Sequence, residues 1–184
     1  LAVTTLFWGV SGNLKYIVLA WAALVLSYST AQATSLLGVV AIGTAIGATW
    51  ASFKSRLDEA HKVIPLGVLM GVFVILMNGL YFMPREPLDV RLWLSWGFLL
   101  VLGGVGGYLV VPMNALLQHR GHQLMGAGRS IAVQNFNEQA CILLLGGLYV
   151  GMQWLGWSAA VSIISFGLLV IVVIPIMLMQ RAQN

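Results

Sequence analysis

Long apolar runs recur along the whole of this chain, and they leave it very few architectures. A helix needs about 20 residues to cross the hydrocarbon core. Runs of that length fall at about residues 1–27, 34–53, 63–83, 92–117, 131–155 and 157–179. In lipid every backbone polar group must find a partner inside the protein, so only helices and closed barrels span it. These runs are continuous rather than alternating, which argues against barrel strands. The composition agrees: 60% of residues are hydrophobic and 8% are charged, against about 45–50% and about 25% in soluble domains. A single secretory signal would account for one such run, not six. The expectation is an all-α integral membrane domain of six transmembrane helices over residues 1–184.

The placement of charge says more than the net value of +4. Lys54, Arg56 and Lys62 lie between the second and third runs, Arg120 and Arg129 between the fourth and fifth, and Arg181 after the sixth. With an even number of spans, these fall on one side of the membrane. The other side holds Arg85 and Arg91, offset by Glu86 and Asp89. The positive-inside rule then predicts that both termini are cytoplasmic. No basic cluster remains beyond this topology signal, so nucleic acid is not expected as a partner.

Cys141 is the sole cysteine and sits among Ile142, Leu143 and Leu144, where an inert buried thiol is expected. The chain starts at Leu1 without methionine or leader, which reads as part of something longer. Of the 21 glycines, Gly38, Gly43 and Gly47 fall in the second run, and Gly103, Gly104, Gly106 and Gly107 crowd the fourth. Gly146, Gly147 and Gly151 lie in the fifth. Small residues four apart predict close helix packing in lipid; a bendable fourth helix is the other reading. Pro112 and Pro175 are candidate kinks. The tryptophans, Trp21 among them, fall mostly near run ends and read as interfacial anchors. His119 and His122 form an H-x-x-H expected in a solvated loop, with no further ligand near in sequence to hold zinc. No P-loop, HExxH or serine elbow appears, so neither an enzyme nor a cofactor is expected.

Two charges do not fall in the gaps. Lys15 lies deep in the first run beside Ser11, Gly12 and Asn13, and Glu138 lies in the fifth within Q-N-F-N-E-Q. A charge at membrane depth costs at least about 2.5–3.5 kcal/mol and usually faces a bundle interior or a water-filled path. On a helix, Gln134, Asn135 and Glu138 share a face. Inter-helix hydrogen bonding and a substrate role both remain open for that face. Lys15 and Glu138 are expected to pair in one conformational state.

The stretch V-P-M-N-A-L-L-Q (residues 111–118), followed by G-A-G-R-S-I-A-V-Q-N (residues 126–135), resembles the bacterial lysophospholipid transporter (LplT) family of the major facilitator superfamily. The opening L-F-W-G-V-S-G-N-L-K (residues 6–15) is similar to the start of that family's seventh helix, with Lys15 at the place of its basic residue. The resemblance covers essentially the whole chain but only the family's C-terminal half. It implies one six-helix half of a transporter, with the N-terminal six-helix half as partner. The implied substrate is a lysophospholipid such as lysophosphatidylethanolamine, moved from the outer to the inner leaflet of the bacterial inner membrane. A cytoplasmic acyltransferase/acyl-acyl-carrier-protein synthetase would then restore the missing chain. On that reading Lys15 meets the phosphate, and Asn13, Gln134, Asn135 and Glu138 serve binding or gating. Proton-coupled efflux of amphiphiles and a non-transporting membrane assembly module are the alternatives.

Overall fold

A computed structural model describes residues 1–54, 62–83 and 88–182. They form six α-helices: α1 (Ala2–Leu26), α2 (Thr30–Lys54), α3 (Pro65–Gly79), α4 (Leu88–Met125), α5 (Ala127–Trp154) and α6 (Ala159–Ala182). A 3₁₀ turn, Leu80–Phe82, extends α3. There is no strand among the described residues. Of the residues used above, Arg56, Arg85 and Glu86 lie outside the described residues, as do the side chains of Asp89 and Arg181.

Hydropathy finds the helices but not their ends. α2 starts at Thr30 because Ser29 and Gln32 cap it reciprocally: the Ser29 backbone N–H donates to Gln32 Oε1 at 3.0 Å, and the Gln32 N–H to Ser29 Oγ at 3.3 Å. α4 continues through Pro112 to Met125. His119 and Arg120 are therefore helical rather than loop residues, as is His122. Arg129 lies in the first turn of α5. The corner between α4 and α5 is the single residue Gly126, whose φ of 81° is open to glycine at no steric cost. Five of the described helices are long and apolar enough to cross a membrane; α5, carrying Gln134 to Gln139, is not among them.

The helices associate in a regular pattern. α2 packs on α4, α3 on α6 and α1 on α5, with lesser seams between α1 and α6, α3 and α4, α1 and α2, and α4 and α5. Exchanging α1 with α4, α2 with α5 and α3 with α6 maps this set of neighbours onto itself. Three crossings separate each helix from its counterpart, so the two triplets have opposed directions, an inverted repeat.

Glycine sets the α2–α4 seam. A methyl group added at Gly43 would strike the Leu100 carbonyl, and one at Gly47 the Gly104 carbonyl. From the other side, Gly103 and Gly107 abut the carbonyls of Val40 and Thr44. The two helices thus touch backbone to backbone. Gly103 and Gly107 are therefore packing residues, whereas Gly106 faces away from α2, toward Met70 and Phe7.

Trp21, read from sequence as an interfacial anchor, and Arg91, read as a loop charge, both belong to the interior. Trp21 is fully buried, and its indole N–H donates to the Met77 carbonyl at 3.1 Å. Arg91 is 4% exposed. Its Nη1 donates to the Val25 carbonyl at 2.7 Å, and its Nη2 donates to the Met83 carbonyl. The last carbonyls of a helix lack internal partners and carry negative partial charge, so a guanidinium satisfies the end of α1 and ties α4 to it. Arg91→Met is expected to destabilise the fold by about 3 kcal/mol, since hydrogen bonds to charged groups contribute roughly 1.5–3 kcal/mol each. Thermal unfolding in mild detergent would measure this, with Arg91→Lys intermediate.

Candidate functional site

The polar residues of α1 and α5 divide into a buried set and an exposed set. Asn13, 2% exposed, lies in the α1–α5 seam. Its Nδ2 donates to the Gly9 carbonyl at 2.8 Å and across the seam to the Ile142 carbonyl at 3.1 Å. Gly9 and Gly12 leave room for Cys141 and Ile142, and Gly146 leaves room for Asn13 itself. Asn13 thus fixes α5 against α1, and its amide is turned inward.

Gln134 and Glu138 are also buried. Gln134 Nε2 donates to Glu138 Oε1 at 2.8 Å and to Asn114 Oδ1 of α4 at 3.4 Å. Gln134 Oε1 is buried without a partner among the described residues. This is the inter-helix reading of the polar run: a carboxylate held by an amide one turn away, with α4 as the third member. Asn114 was not singled out in the sequence, although it sits within V-P-M-N-A-L-L-Q, a polar residue two past a proline in an apolar helix.

Lys15, Tyr16 and Asn135 are exposed instead. Lys15 lies about 20 Å along α1 from its first residue, at 1.5 Å per residue. Its Nζ sits 4.9 Å from the Tyr16 ring centroid, within range of a cation–π contact. Tyr16 stacks on Tyr149 of α5, with centroids 6.4 Å apart. Glu138 makes its bond to Gln134 and none to Lys15. The expected Lys15–Glu138 pair is therefore not formed in this conformation: the lysine faces outward from α1 and the carboxylate inward from α5. No group of three or more His, Cys, Asp or Glu that could hold a metal ion occurs among the described residues.

Beside this polar band lies a cavity of about 270 Å³ between α1, α2, α3, α4 and α6, with walls that are almost wholly apolar.

The chain is 36% identical to the lysophospholipid transporter LplT of Photorhabdus laumondii, over 98% of its own length and 44% of that protein. It is 36% identical to LplT of Salmonella arizonae, over 98% of its length and 44% of the relative. For LplT of Escherichia coli K12 the identity is 35%, over 90% of the chain and 40% of the relative. The chain is homologous to a C-terminal half of LplT. It spans less than half the length of the LplT proteins it matches. Those proteins are named as transporters rather than enzymes, in keeping with a multi-pass membrane chain that carries no enzyme motif. No family model and no solved structure matches the chain.

Proposed function

We propose that this chain is one half of a lysophospholipid flippase, acting with an N-terminal six-helix half in the major facilitator manner. It carries lysophospholipids from the outer to the inner leaflet of the bacterial inner membrane. A cytoplasmic acyltransferase/acyl-acyl-carrier-protein synthetase then re-acylates them. The observation that carries this reading is Lys15: a cation far from either end of an apolar helix, exposed, and in contact with an aromatic ring rather than a carboxylate. A phosphate headgroup supplies the missing counter-charge. Asn135, exposed on α5, contributes a hydrogen-bonding group to the same path. Asn13, Gln134 and Glu138 act indirectly, by fixing α5 on α1 and α4.

Uptake of radiolabelled lysophosphatidylethanolamine into spheroplasts lacking their own transporter tests this directly. The full-length protein is expected to restore uptake, and the 184-residue chain alone is not. Uptake no better than in empty spheroplasts would refute the assignment. Both termini of the segment, with the α4–α5 corner, are assigned to the cytoplasm from the Lys and Arg distribution. Gln118 is exposed near the end of α4, so Gln118→Cys in a Cys141→Ala background should resist impermeant thiol reagents in intact cells. Labelling from outside would reverse the topology.

A further inference from the structure

The cavity inside the six-helix half is distinct from the polar band and has a chemistry of its own. Folded interiors contain few voids larger than a water molecule, and an apolar void costs stability in proportion to its volume. Here about 270 Å³ is left unfilled, lined by Leu6, Met70, Val74, Leu109, Phe166 and other side chains of the same kind. An apolar cavity of about 150 Å³ stays dry and admits benzene. By proportion this one accommodates a hydrocarbon stretch on the order of ten carbons. Lining residues on α1, α2, α3 and α4, among them Phe7, Ser11, Thr44, Met70 and Val110, are only partly buried, so the cavity is not sealed.

Few polar groups line it: the side chains of Trp8, Ser11 and Thr44. Trp8 lines the cavity, and its indole N–H is buried with no acceptor among the described residues. Ser11 supplies a hydroxyl. Lys15 follows the wall residue Leu14 and stands one helical turn beyond Ser11 and two beyond Trp8. Its Nζ rests over the Tyr16 ring here, and a change of rotamer over the turn N-terminal to it would bring the amine toward Ser11. An apolar pocket with a hydroxyl on its wall and a cation one helical turn farther along α1 is complementary to a single-chain amphiphile whose head carries a phosphate.

We propose that this cavity seats the acyl tail of a single-chain phospholipid, with the Ser11 hydroxyl donating to the ester or hydroxyl oxygen at the head of the tail and Lys15 facing the phosphate. The proposal rests on the reading above for the headgroup but adds a tail site inside one half rather than between two. Gly106 is the plug position: a methyl there meets only the mobile Met70 Cε at 3.3 Å and the Phe7 ring at 3.5 Å.

The test is quenching of tryptophan fluorescence in the detergent-solubilised full-length protein by a single-chain lysophosphatidylethanolamine brominated in its tail. The Trp8 contribution is taken as the difference from Trp8→Phe. Saturable quenching of Trp8 is expected. Gly106→Leu should weaken the apparent affinity about tenfold or more, because the added side chain takes up tail volume. Gly106→Ala, which demands little of the fold, should weaken it about two- to threefold. Lys15→Ala should weaken binding of the lysophosphatidylethanolamine, through loss of the partner to its phosphate, while leaving a brominated alkyl glucoside unaffected. Quenching that never saturates, or that is equal in wild type and both Gly106 variants, would overturn the tail site even if uptake is intact. Saturable quenching by both brominated amphiphiles without lysophospholipid uptake would sustain the site and sink the transport assignment instead.

Discussion

Leucine in place of Gly47 is expected to leave almost no folded protein in the membrane. The added side chain would start inside the van der Waals shell of the Gly104 carbonyl, and no rotamer moves a Cβ. Relief requires α2 and α4 to part, which breaks the contacts at Gly43, Gly103 and Gly107 together. Overpacking in a tight core costs about 1–3 kcal/mol even where side chains can shift; here backbone must move, and total stability is only about 5–15 kcal/mol. Gly38→Leu is the matched control, because nothing lies within 4 Å of its added Cβ. Size-exclusion profiles of a fluorescent fusion of the full-length protein would compare the two. A normal monodisperse peak for Gly47→Leu would contradict the seam described here.

Reversing the charge at position 15 is expected to abolish transport. Lys15→Glu should reduce lysophosphatidylethanolamine uptake about a hundredfold or more. Losing one charge-assisted bond costs roughly 1.5–3 kcal/mol, about ten- to a hundredfold, and repulsion of the phosphate adds to that. Lys15→Arg should retain most activity, since it keeps the charge. The double swap Lys15→Glu with Glu138→Lys should not rescue uptake. Glu138 accepts from Gln134 and makes no contact with Lys15 in this conformation, so a lysine there is a second lesion. Recovery of uptake by the swap would show that the two charges meet in another state.

Five of the six helices were legible because long apolar runs suit burial in lipid, and α5 was legible from the apolar residues on either side of its polar run. Their ends were not: the reciprocal cap of Ser29 and Gln32 extends α2 beyond its apolar run, and α4 keeps its backbone hydrogen bonding through the polar Gln118–Gln123 stretch. The polar residues of the site were also legible as a group, since Asn13, Lys15, Gln134, Asn135 and Glu138 stand out in apolar surroundings. What a linear pattern does not encode is direction. Asn13 faces a seam and Lys15 does not, although they are two residues apart. Glu138 faces inward and Asn135 outward, although both belong to one polar run. Arg91 was misjudged for a related reason. It sits near prolines and acidic residues that read as an aqueous loop, while the partners that draw it inward are backbone carbonyls, which no side-chain pattern reveals.

The two principal seams are counterparts under the exchange of triplets, yet they are built from different materials. Between α2 and α4, carbonyl meets Cα with no side chain interposed, so the pair behaves mechanically as a single rod. Between α1 and α5, the facing surface is Cys141, Ile142 and the Asn13 amide, groups that can change rotamer and exchange one carbonyl for another. Shear within the half is therefore cheap along one seam and prohibitive along the other. On the proposed function, a half that reshapes itself around a lipid would do so by sliding α5 over α1, and that slippage would carry the Glu138 carboxylate past the lysine it does not touch at rest.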